Sequence, residues 1–288
     1  MAEKHGGEIV NFDSRQVYRD VPVTTDQPDK EKQGRVPHWL YGFLEPKKKV
    51  DAGSFAQMAE EAMGRIASRG LFPLLAGGTG LYLRAILYGL APIPSTPSSV
   101  RERILAEYDE YGPETMYSRL AEIDPEAAAA VSSRDRQRVS RALEVFDHTG
   151  RTITWWREHY RQMVPRHTAL KIGMNPDRRQ LRRDLEKRIE TMLEKGALEE
   201  VRAAWNKCPD PDAPMWTGIG CRELLHYVQG RIGWEEAKRQ WVKRTWDYAK
   251  RQLTWFRRDR EIIWFHPGEK KDIERRVALW LASGQSPA

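Results

Sequence analysis

A short apolar segment that runs directly into a glycine-rich turn most limits the folds open to this chain. Residues 71–76 are uniformly apolar, and residues 77–80 read Gly-Gly-Thr-Gly. Residues 55–69 before this segment have apolar side chains at helical spacing, and residues 81–87 after it again indicate a helix. With a second strand-like run at 8–12, this order of elements predicts a parallel sheet in an α/β fold.

Local composition indicates where the chain divides into segments. Residues 91–99 are rich in proline and serine, which is typical of a linker. From residue 100 to about residue 156 the pattern is helical and poor in strands, and residues 168–174 predict a return to a strand. We therefore predict three segments. They are 1–95 as the first part of the α/β core, 96–165 as a helical insertion, and 166–288 as the return to the core with basic C-terminal helices.

The charge of the chain favours an anionic partner. The net charge is +7 and the pI is near 9.3, and the chain has 11 tryptophans, several of them among arginines. These features favour nucleic acid, although charge alone fits an ordinary basic surface about equally well. Two cysteines cannot form a disulfide framework, and no apolar run approaches the roughly 20 residues that a membrane span needs. We expect a cytoplasmic protein.

The beginning of the chain lacks a phosphate-binding loop. Residues 1–5 are typical of the last turn of a helix that closes at Gly6. A strand and a phosphate-binding turn usually precede such a helix in a parallel sheet, but the motif G-x-x-x-x-G-K-[ST] occurs nowhere in the sequence. We expect strand 8–12 to lack its first neighbour, which leaves an open sheet edge, and the chain to be part of a longer one.

Asp13 is the first candidate for chemistry. It directly follows strand 8–12, at the end of a parallel strand where open α/β sheets gather their ligands, and a carboxylate there could act as a general base. The alternative is that Asp13 or Ser14 only caps a short helix. Gln16 and Tyr18 alternate behind Asp13, and the glycine-rich turn would let a ligand approach the backbone and meet the Thr79 hydroxyl.

Two basic helices are candidates for binding phosphates. Arg134, Arg138 and Arg141 fall on one stripe of a helix, which fits either a phosphate grip or a solvated face. Residues 231–260 hold ten Lys/Arg against four Asp/Glu, with aromatic residues at helical spacing that we assign mostly to the core. The exposed candidates there are Lys243, Arg244, Lys250, Arg251, Arg257 and Arg258.

Six blocks occur in an order and spacing that resemble the tRNA dimethylallyltransferase family. They are GGEIVNFDSRQVYRD, LLAGGTGLYLRAIL, IDPEAAAAV with DRQRVSRALEVFDHTG, LEKRIETMLEKGALEEV, GIGCREL and YAKRQLTWFRR. The resemblance covers essentially the whole chain. It implies a P-loop NTPase-like, nucleotide-binding core with an inserted, tRNA-contacting helical subdomain. The implied reaction uses Mg²⁺ and moves a dimethylallyl group from dimethylallyl diphosphate to N6 of the adenosine 3′ to the anticodon, in tRNAs reading U-starting codons. We expect a monomer without membrane association.

The resemblance also implies roles for single residues. Asp13 would be the base for the adenine amine, Thr79 would meet the flipped-out nucleotide, and Arg188 would hold the diphosphate leaving group. No residue is assigned as a metal ligand. The implied tRNA-binding residues are Asp13, Ser14, Arg15, Gln16, Thr79, Arg101, Gln137, Arg138, Val139, Ser140, Arg141, Thr217, Gly218, Ile219, Gly220, Cys221 and Arg222, with 245–251 as a further candidate stretch.

The sequence departs from the family pattern in several places. The family's GPTASGKS-like loop has no counterpart here, so we expect this chain to bind the donor poorly. Residues 24–28 read Thr-Thr-Asp-Gln-Pro where the family often has Gly-Thr-Ala-Lys-Pro, Cys221 replaces a tyrosine, and Trp246-Asp247 replaces Arg-Gln. Two alternatives stay open at this point. One is a non-catalytic tRNA-binding remnant, and the other is a free-adenylate prenyltransferase or nucleotide kinase relative.

Overall fold

The computed structural model describes residues 1–160 and 165–284. The chain divides into two compact units, a core unit formed by Met1–Leu87 with Pro165–Ala288 and a helical unit formed by Tyr88–Val164. In chain order the elements are α1 (Ala2–His5), β1 (Gly7–Asn11), α2 (Lys30–Arg35), β2 (His38–Trp39), α3 (Ala52–Ala67), β3 (Phe72–Ala76), α4 (Gly80–Tyr88), α5 (Ser98–Ile123), α6 (Pro125–Ala129), α7 (Arg136–Thr149), α8 (Ile153–His159), β4 (Ile172–Met174), α9 (Arg178–Glu194), α10 (Ala197–Lys207), a 3₁₀ turn (Pro214–Thr217), α11 (Cys221–Val228), α12 (Trp234–Phe256), β5 (Ile263–Phe265) and α13 (Lys270–Ala282).

A parallel three-stranded sheet with the order β2-β1-β3 forms the centre of the core unit. Ile9 of β1 pairs with His38 on one side and with Leu74 on the other. Both predicted strands are therefore present, and the α/β fold class with a parallel sheet is confirmed. The prediction that the first strand borders an open edge is wrong, because β2 covers that side. Among the described residues, β2 and β3 are the two edge strands of this sheet, and each pairs with β1 alone.

Buried apolar residues hold α3 and α4 to the sheet. Val10 of β1, Phe55 and Ile66 of α3, and Ile86 of α4 are completely buried. The ring of Phe55 stacks on Tyr82 with 4.2 Å between the ring centroids. These are the apolar positions whose helical spacing predicted the two helices, so the 3.6-residue period correctly identified the faces that pack on the sheet.

The strand predicted after the helical insertion is present but does not join the central sheet. β4 pairs in parallel with β5, and together they form a separate two-stranded sheet. Gly173 allows this pairing, since a Cβ atom there would lie 2.7 Å from the ring of Trp264. The pairing partner lies about 90 residues away along the chain, so local sequence patterns did not predict β5.

The helical unit has its own apolar core. α5 is interrupted at Gly112, which has a positive φ of 79° and precedes Pro113. Ile104 and Leu120, on the two parts of α5, pack with Leu143 of α7. Residues 100–156 contain no strand, which confirms the helical prediction for this stretch, while the predicted boundaries and tRNA contact of the insertion stay predictions. Within the described ranges of both units, no helix is long and apolar enough to cross a membrane.

Candidate active site

A pocket of about 320 Å³ lies in the core unit at the end of β1, and we call it the Asp13 pocket. Its lining residues are Asp13, Arg15, Gln16, Thr24, Thr25, Leu185, Arg188, Ile189, Met192, Thr217, Ile219, Trp241, Thr245, Tyr248 and Arg251. The residues just after β1 thus meet side chains from α9 and α12 at the place where open parallel sheets bind ligands.

Asn11 positions Asp13. The side chain of Asn11 is completely buried, and its Oδ1 accepts a hydrogen bond of 2.7 Å from the backbone N–H of Asp13. Its Nδ2 donates to the carbonyl of Asp13 at 3.1 Å and to the carbonyl of Leu40 at 2.8 Å. The Asp13 carboxylate in turn accepts a bond of 2.8 Å from the backbone N–H of Arg15. Asp13 therefore has a fixed backbone and a fixed carboxylate.

Burial raises the pKa of Asp13 above its ordinary value. The backbone N–H of Arg15, the charge of Arg15, the backbone N–H of Gln16 and the charge of Arg188 oppose this effect. A carboxylate with a raised pKa is a stronger proton acceptor than an ordinary aspartate, so this position suits a general base. The interpretation of Asp13 as a simple helix cap is wrong, because the next helix along the chain, α2, begins only at Lys30.

Thr79 lies next to Ser14, at the start of the segment that follows β1. Its Oγ1 accepts a hydrogen bond of 2.9 Å from the backbone N–H of Ser14 and lies 3.2 Å from Ser14 Oγ. The glycines around it make close contacts within the protein, since a Cβ atom on Gly77 would lie 2.6 Å from the carbonyl carbon of Phe12. Cβ atoms on Gly78 and Gly80 would collide with the side chains of Gln252 and Trp255. The turn thus joins β3 to β1 and α12, whereas we expected it to admit a ligand.

Three guanidinium groups line the pocket. Arg15 Nη1 donates a hydrogen bond of 2.6 Å to Thr217 Oγ1. Nε of Arg188, on α9, lies 2.9 Å from an Asp26 carboxylate oxygen. Arg251 comes from α12 and lies with its guanidinium carbon 5.9 Å from the ring centroid of Tyr248. Three cations around one carboxylate make the pocket suited to an anionic ligand.

One face of α12 forms a wall of the pocket. Trp241, Thr245, Tyr248 and Arg251 recur at spacings of four, three and three residues, which places them on the same side of the helix. Burial and the nearby charge of Asp13 raise the pKa of Tyr248, against hydrogen bonds with Thr79 and Gln252 that lower it. The tyrosine hydroxyl is therefore neutral at ordinary pH.

A comparison of this chain with known proteins is consistent with the parallel sheet and the Asp13 pocket. The family described as IPP transferase matches residues 16–259. This chain belongs to the IPP transferase family. A protein named tRNA dimethylallyltransferase from Maridesulfovibrio salexigens is 47% identical over 283 residues, which cover 98% of this chain and 92% of that protein.

Solved structures of IPP transferases share the fold. A tRNA isopentenylpyrophosphate transferase from Bacillus halodurans has a TM-score of 0.70 and 28% identity, and the match covers 99% of this chain and 90% of that one. A eukaryotic dimethylallyltransferase, whose structures are described as acting on tRNA, has a TM-score of 0.82 at 23% identity, covering 98% of this chain and 75% of the other. At that identity the second likeness supports the fold alone.

Several residues that resemblance to the IPP transferases predicted lie together in the pocket. Asp13, Arg15, Gln16 and Arg188 line it, whereas Ser14 and Thr79 are bonded to each other beside it and are not among its lining residues. Tyr18 does not belong to this group, because it is buried and its hydroxyl donates to the carbonyl of Lys48 at 3.3 Å.

The 217–222 stretch of this IPP transferase is only partly accessible. Thr217 and Ile219 line the pocket, and Arg222 is exposed. Gly218, Gly220 and Cys221 are buried, and burial raises the pKa of the Cys221 thiol. The Cys221 side chain is therefore not accessible to a ligand in this structure.

The predicted tRNA contacts of the helical unit are likewise partly exposed and partly buried. Gln137 and Arg138 are exposed on α7, whereas Val139 and Ser140 are buried in the core of the unit. Arg141 donates to Thr96 Oγ1 at 2.8 Å, and Arg101 lies 3.9 Å from the carboxylate of Glu144. Arg134 and Arg138 are the exposed members of the predicted arginine stripe, and the Arg138 side chain is 68% exposed.

Residues that sequence reasoning missed also build this IPP transferase pocket. Asn11 anchors Asp13, and α9 contributes Leu185, Ile189 and Met192. The spacing of 185, 189 and 192 is that of a buried helical face, so the signal was present but was indistinguishable from an ordinary core contact. Trp241 was assigned to the core and is both core and pocket wall.

The pocket offers little for a protein-bound magnesium ion. Asp13 is the one carboxylate among the lining residues, and across residues 1–160 and 165–284 no group of three or more His, Cys, Asp or Glu side chains could hold a metal. Mg²⁺ prefers several oxygen ligands in octahedral geometry. These residues therefore do not fit a metal site made by the protein.

Proposed function

We propose that this chain transfers a dimethylallyl group from dimethylallyl diphosphate to tRNA, at N6 of the adenosine 3′ to the anticodon in tRNAs reading U-starting codons. Membership of the IPP transferase family and relatives named tRNA dimethylallyltransferase support the transfer itself. The observation that carries the site assignment is a half-buried carboxylate with a raised pKa, Asp13, in a pocket lined by three arginines.

Asp13 acts on the acceptor. The exocyclic amine of adenine is a weak nucleophile because its lone pair is delocalised into the ring. As the bond from N6 to C1 of the dimethylallyl group forms, the Asp13 carboxylate takes a proton from N6 and keeps electron density on nitrogen. The adenine must leave the anticodon-loop stack to reach a carboxylate inside the pocket, and such extrusion is usual for enzymes that modify a base.

The arginines act on the donor. When the C1–O bond breaks, its electron pair goes to the departing diphosphate, whose oxygens gain negative charge. Arg188, with Arg15 and Arg251 on neighbouring walls, stabilises that charge by electrostatic attraction and charge-assisted hydrogen bonds. Mg²⁺ would supply further neutralisation of the diphosphate charge, but the pocket residues offer it no set of protein ligands.

The remaining assignments are part of the same proposal. The exposed Gln137, Arg138 and Arg222 and the pocket residue Thr217 contact the tRNA, and Thr79 meets the flipped nucleotide. A monomeric state and a cytoplasmic location stay predictions from the sequence. The two alternatives, a non-catalytic remnant and a free-adenylate enzyme, have no observation in the structure that favours them.

Asp13→Asn tests the proposal. Asparagine keeps an acceptor for the Arg15 N–H but cannot take a proton at neutral pH, so we expect prenylation of an anticodon stem-loop to fall about 10²- to 10⁴-fold, as measured by mass spectrometry. Glu274→Gln removes a charge on α13 from a surface pair with Lys4 and is the matched control, expected to keep the parent rate. An Asp13→Asn variant as fast as the parent contradicts the role of Asp13. A parent that prenylates free AMP but no stem-loop contradicts the choice of tRNA.

A further inference from the structure

An ion pair at the edge of the Asp13 pocket occupies the arginine that we assign to the diphosphate. Nε of Arg188, on α9, lies 2.9 Å from Oδ2 of Asp26. The two side chains are 50% and 47% exposed. Arg188 lines the pocket, and Thr25, the neighbour of Asp26, lines it too. The Asp26 carboxylate thus occupies the position beside Arg188 that the negatively charged group of a bound ligand would take.

The loop that carries Asp26 is firmly held. The backbone N–H groups of Val23 and Thr24 each donate at 2.8 Å to the carboxylate of Glu200 from α10. From the pocket side, Gln16 Nε2 donates to the carbonyls of Thr25 and Asp26 at 3.1 and 2.6 Å. These bonds fix the backbone of Asp26 next to Arg188, so the pair does not depend on a freely moving loop.

The backbone of Asp26 is in an uncommon conformation. Its φ of 55° lies in the left-handed region, which costs energy for most residues and least for glycine, asparagine and aspartate. The hydrogen bonds that Gln16 donates to the loop and that Glu200 accepts from it hold this conformation, and the result is a carboxylate directed to Arg188.

The Asp26–Arg188 ion pair is weak enough for a ligand to displace. Half-exposed ion pairs contribute little because water screens both charges. A diphosphate carries more negative charge than a carboxylate and offers several oxygens that match the fork of a guanidinium. A diphosphate entering the pocket would therefore compete successfully for Arg188, but it would have to displace Asp26 and bind near its negative charge.

We propose that Asp26 is an internal competitor for Arg188 that weakens the binding of diphosphate, and so limits retention of the diphosphate product. The inference rests on the proposed function, in which Arg188 holds the leaving group. Asp26 is a positioning residue in this scheme, since it acts through Arg188 and touches no reacting atom. Its effect is expected equally for the diphosphate part of the donor and for free diphosphate.

Calorimetric titration with inorganic diphosphate tests the inference without relying on turnover. Asp26→Asn removes the charge, keeps the side-chain shape and tolerates the left-handed backbone. We expect it to lower the Kd for diphosphate about two- to five-fold, the range that corresponds to a half-exposed pair. Glu274→Gln, which breaks the similarly exposed Lys4–Glu274 pair on the same unit, makes the same change in net charge and should leave Kd unchanged.

Arg188→Gln and the double variant separate the possible outcomes. We expect Arg188→Gln to weaken diphosphate binding, and Asp26→Asn to have no effect once Arg188 is gone, because the two residues act as one pair. If Arg188→Gln weakens binding but Asp26→Asn leaves it equal or weaker, the competition is refuted and the proposed function stands. If the parent does not bind diphosphate, or Arg188→Gln binds it as well as the parent, both the competition and the assigned role of Arg188 are refuted.

Discussion

Asp13 lies in an environment that favours its function over the stability of the fold. Its carboxylate is half-buried in the pocket wall, and this burial raises its pKa against the nearby Arg15 and Arg188. An acid with a raised pKa prefers the protonated form in the folded state. The folded protein therefore loses stability, relative to the unfolded chain, as the pH rises through this pKa. A residue kept only for structure would not be selected for such a disadvantage.

Two opposite effects of Asp13→Asn follow at the residue scale. We expect the variant, although much slower in prenylation, to have a higher melting temperature than the parent at pH 7, because it buries no charge. The difference should shrink as the pH falls through the raised pKa of Asp13, because the parent carboxyl then becomes protonated as well. Melting temperatures across this pH range measure the effect, and an asparagine variant less stable than the parent at neutral pH would contradict it.

The same pKa shift predicts the acid limit of catalysis. A base must be deprotonated to act, so the rate should fall as the pH drops through the raised pKa of Asp13, which lies above the ordinary aspartate value of 3.8. A pH profile of single-turnover prenylation measures the midpoint. A rate that stays constant down to about pH 4 would show that another group takes the proton.

At the scale of elements, the sequence predicted what local patterns encode and missed what distant pairing creates. β1, β3, α3 and α4 follow from apolar periodicity and glycine boundaries. β2 has only two residues and β5 only three, and both become strands because another strand lies beside them. The same holds for the site. Resemblance indicated Asp13 and Arg188. The role of Asn11 in holding Asp13 depends on a hydrogen bond to Leu40, which no local pattern reveals.

The turn between the 3₁₀ helix and α11 allows a prediction about packing. Gly220 has a φ of 90°, and a Cβ atom there would lie 2.7 Å from the ring of Trp241 on α12. Gly220→Ala combines backbone strain with overpacking, so we expect it to lower the free energy of unfolding by roughly 2–4 kcal/mol in urea denaturation. It should also perturb the pocket, which Trp241 lines.

Gly64 supplies the matched control for that substitution. It lies inside α3, is exposed, and a Cβ atom there would meet nothing within 4 Å. Gly64→Ala should therefore stabilise the protein by about 0.5–1 kcal/mol through helix propensity. If both alanine variants had the same effect, the close contact between Gly220 and Trp241 would have no energetic consequence.

At the scale of the whole molecule, the net charge of +7 gives the proposed RNA binding a clear dependence on salt. Each phosphate that a lysine or arginine neutralises releases counterions, so the logarithm of the binding constant should fall linearly with the logarithm of salt concentration. Fluorescence anisotropy with a labelled anticodon stem-loop, between about 50 and 200 mM salt, measures the slope. A merely basic surface that makes no defined contacts would show no change of slope when one arginine is removed.

Comparing variants of Arg138 and Arg275 tests whether the helical unit makes a defined contact with an RNA phosphate. Both are exposed arginines, with side chains 68% and 75% exposed, and each lies beside an aspartate three residues earlier. If Arg138 contacts a phosphate, Arg138→Gln should lower the magnitude of the slope by about 1, whereas Arg275→Gln should leave it unchanged. Equal slopes for the two variants would mean that the surface of α7 attracts RNA only through its general charge, and Arg138 would then be removed from the set of tRNA contacts.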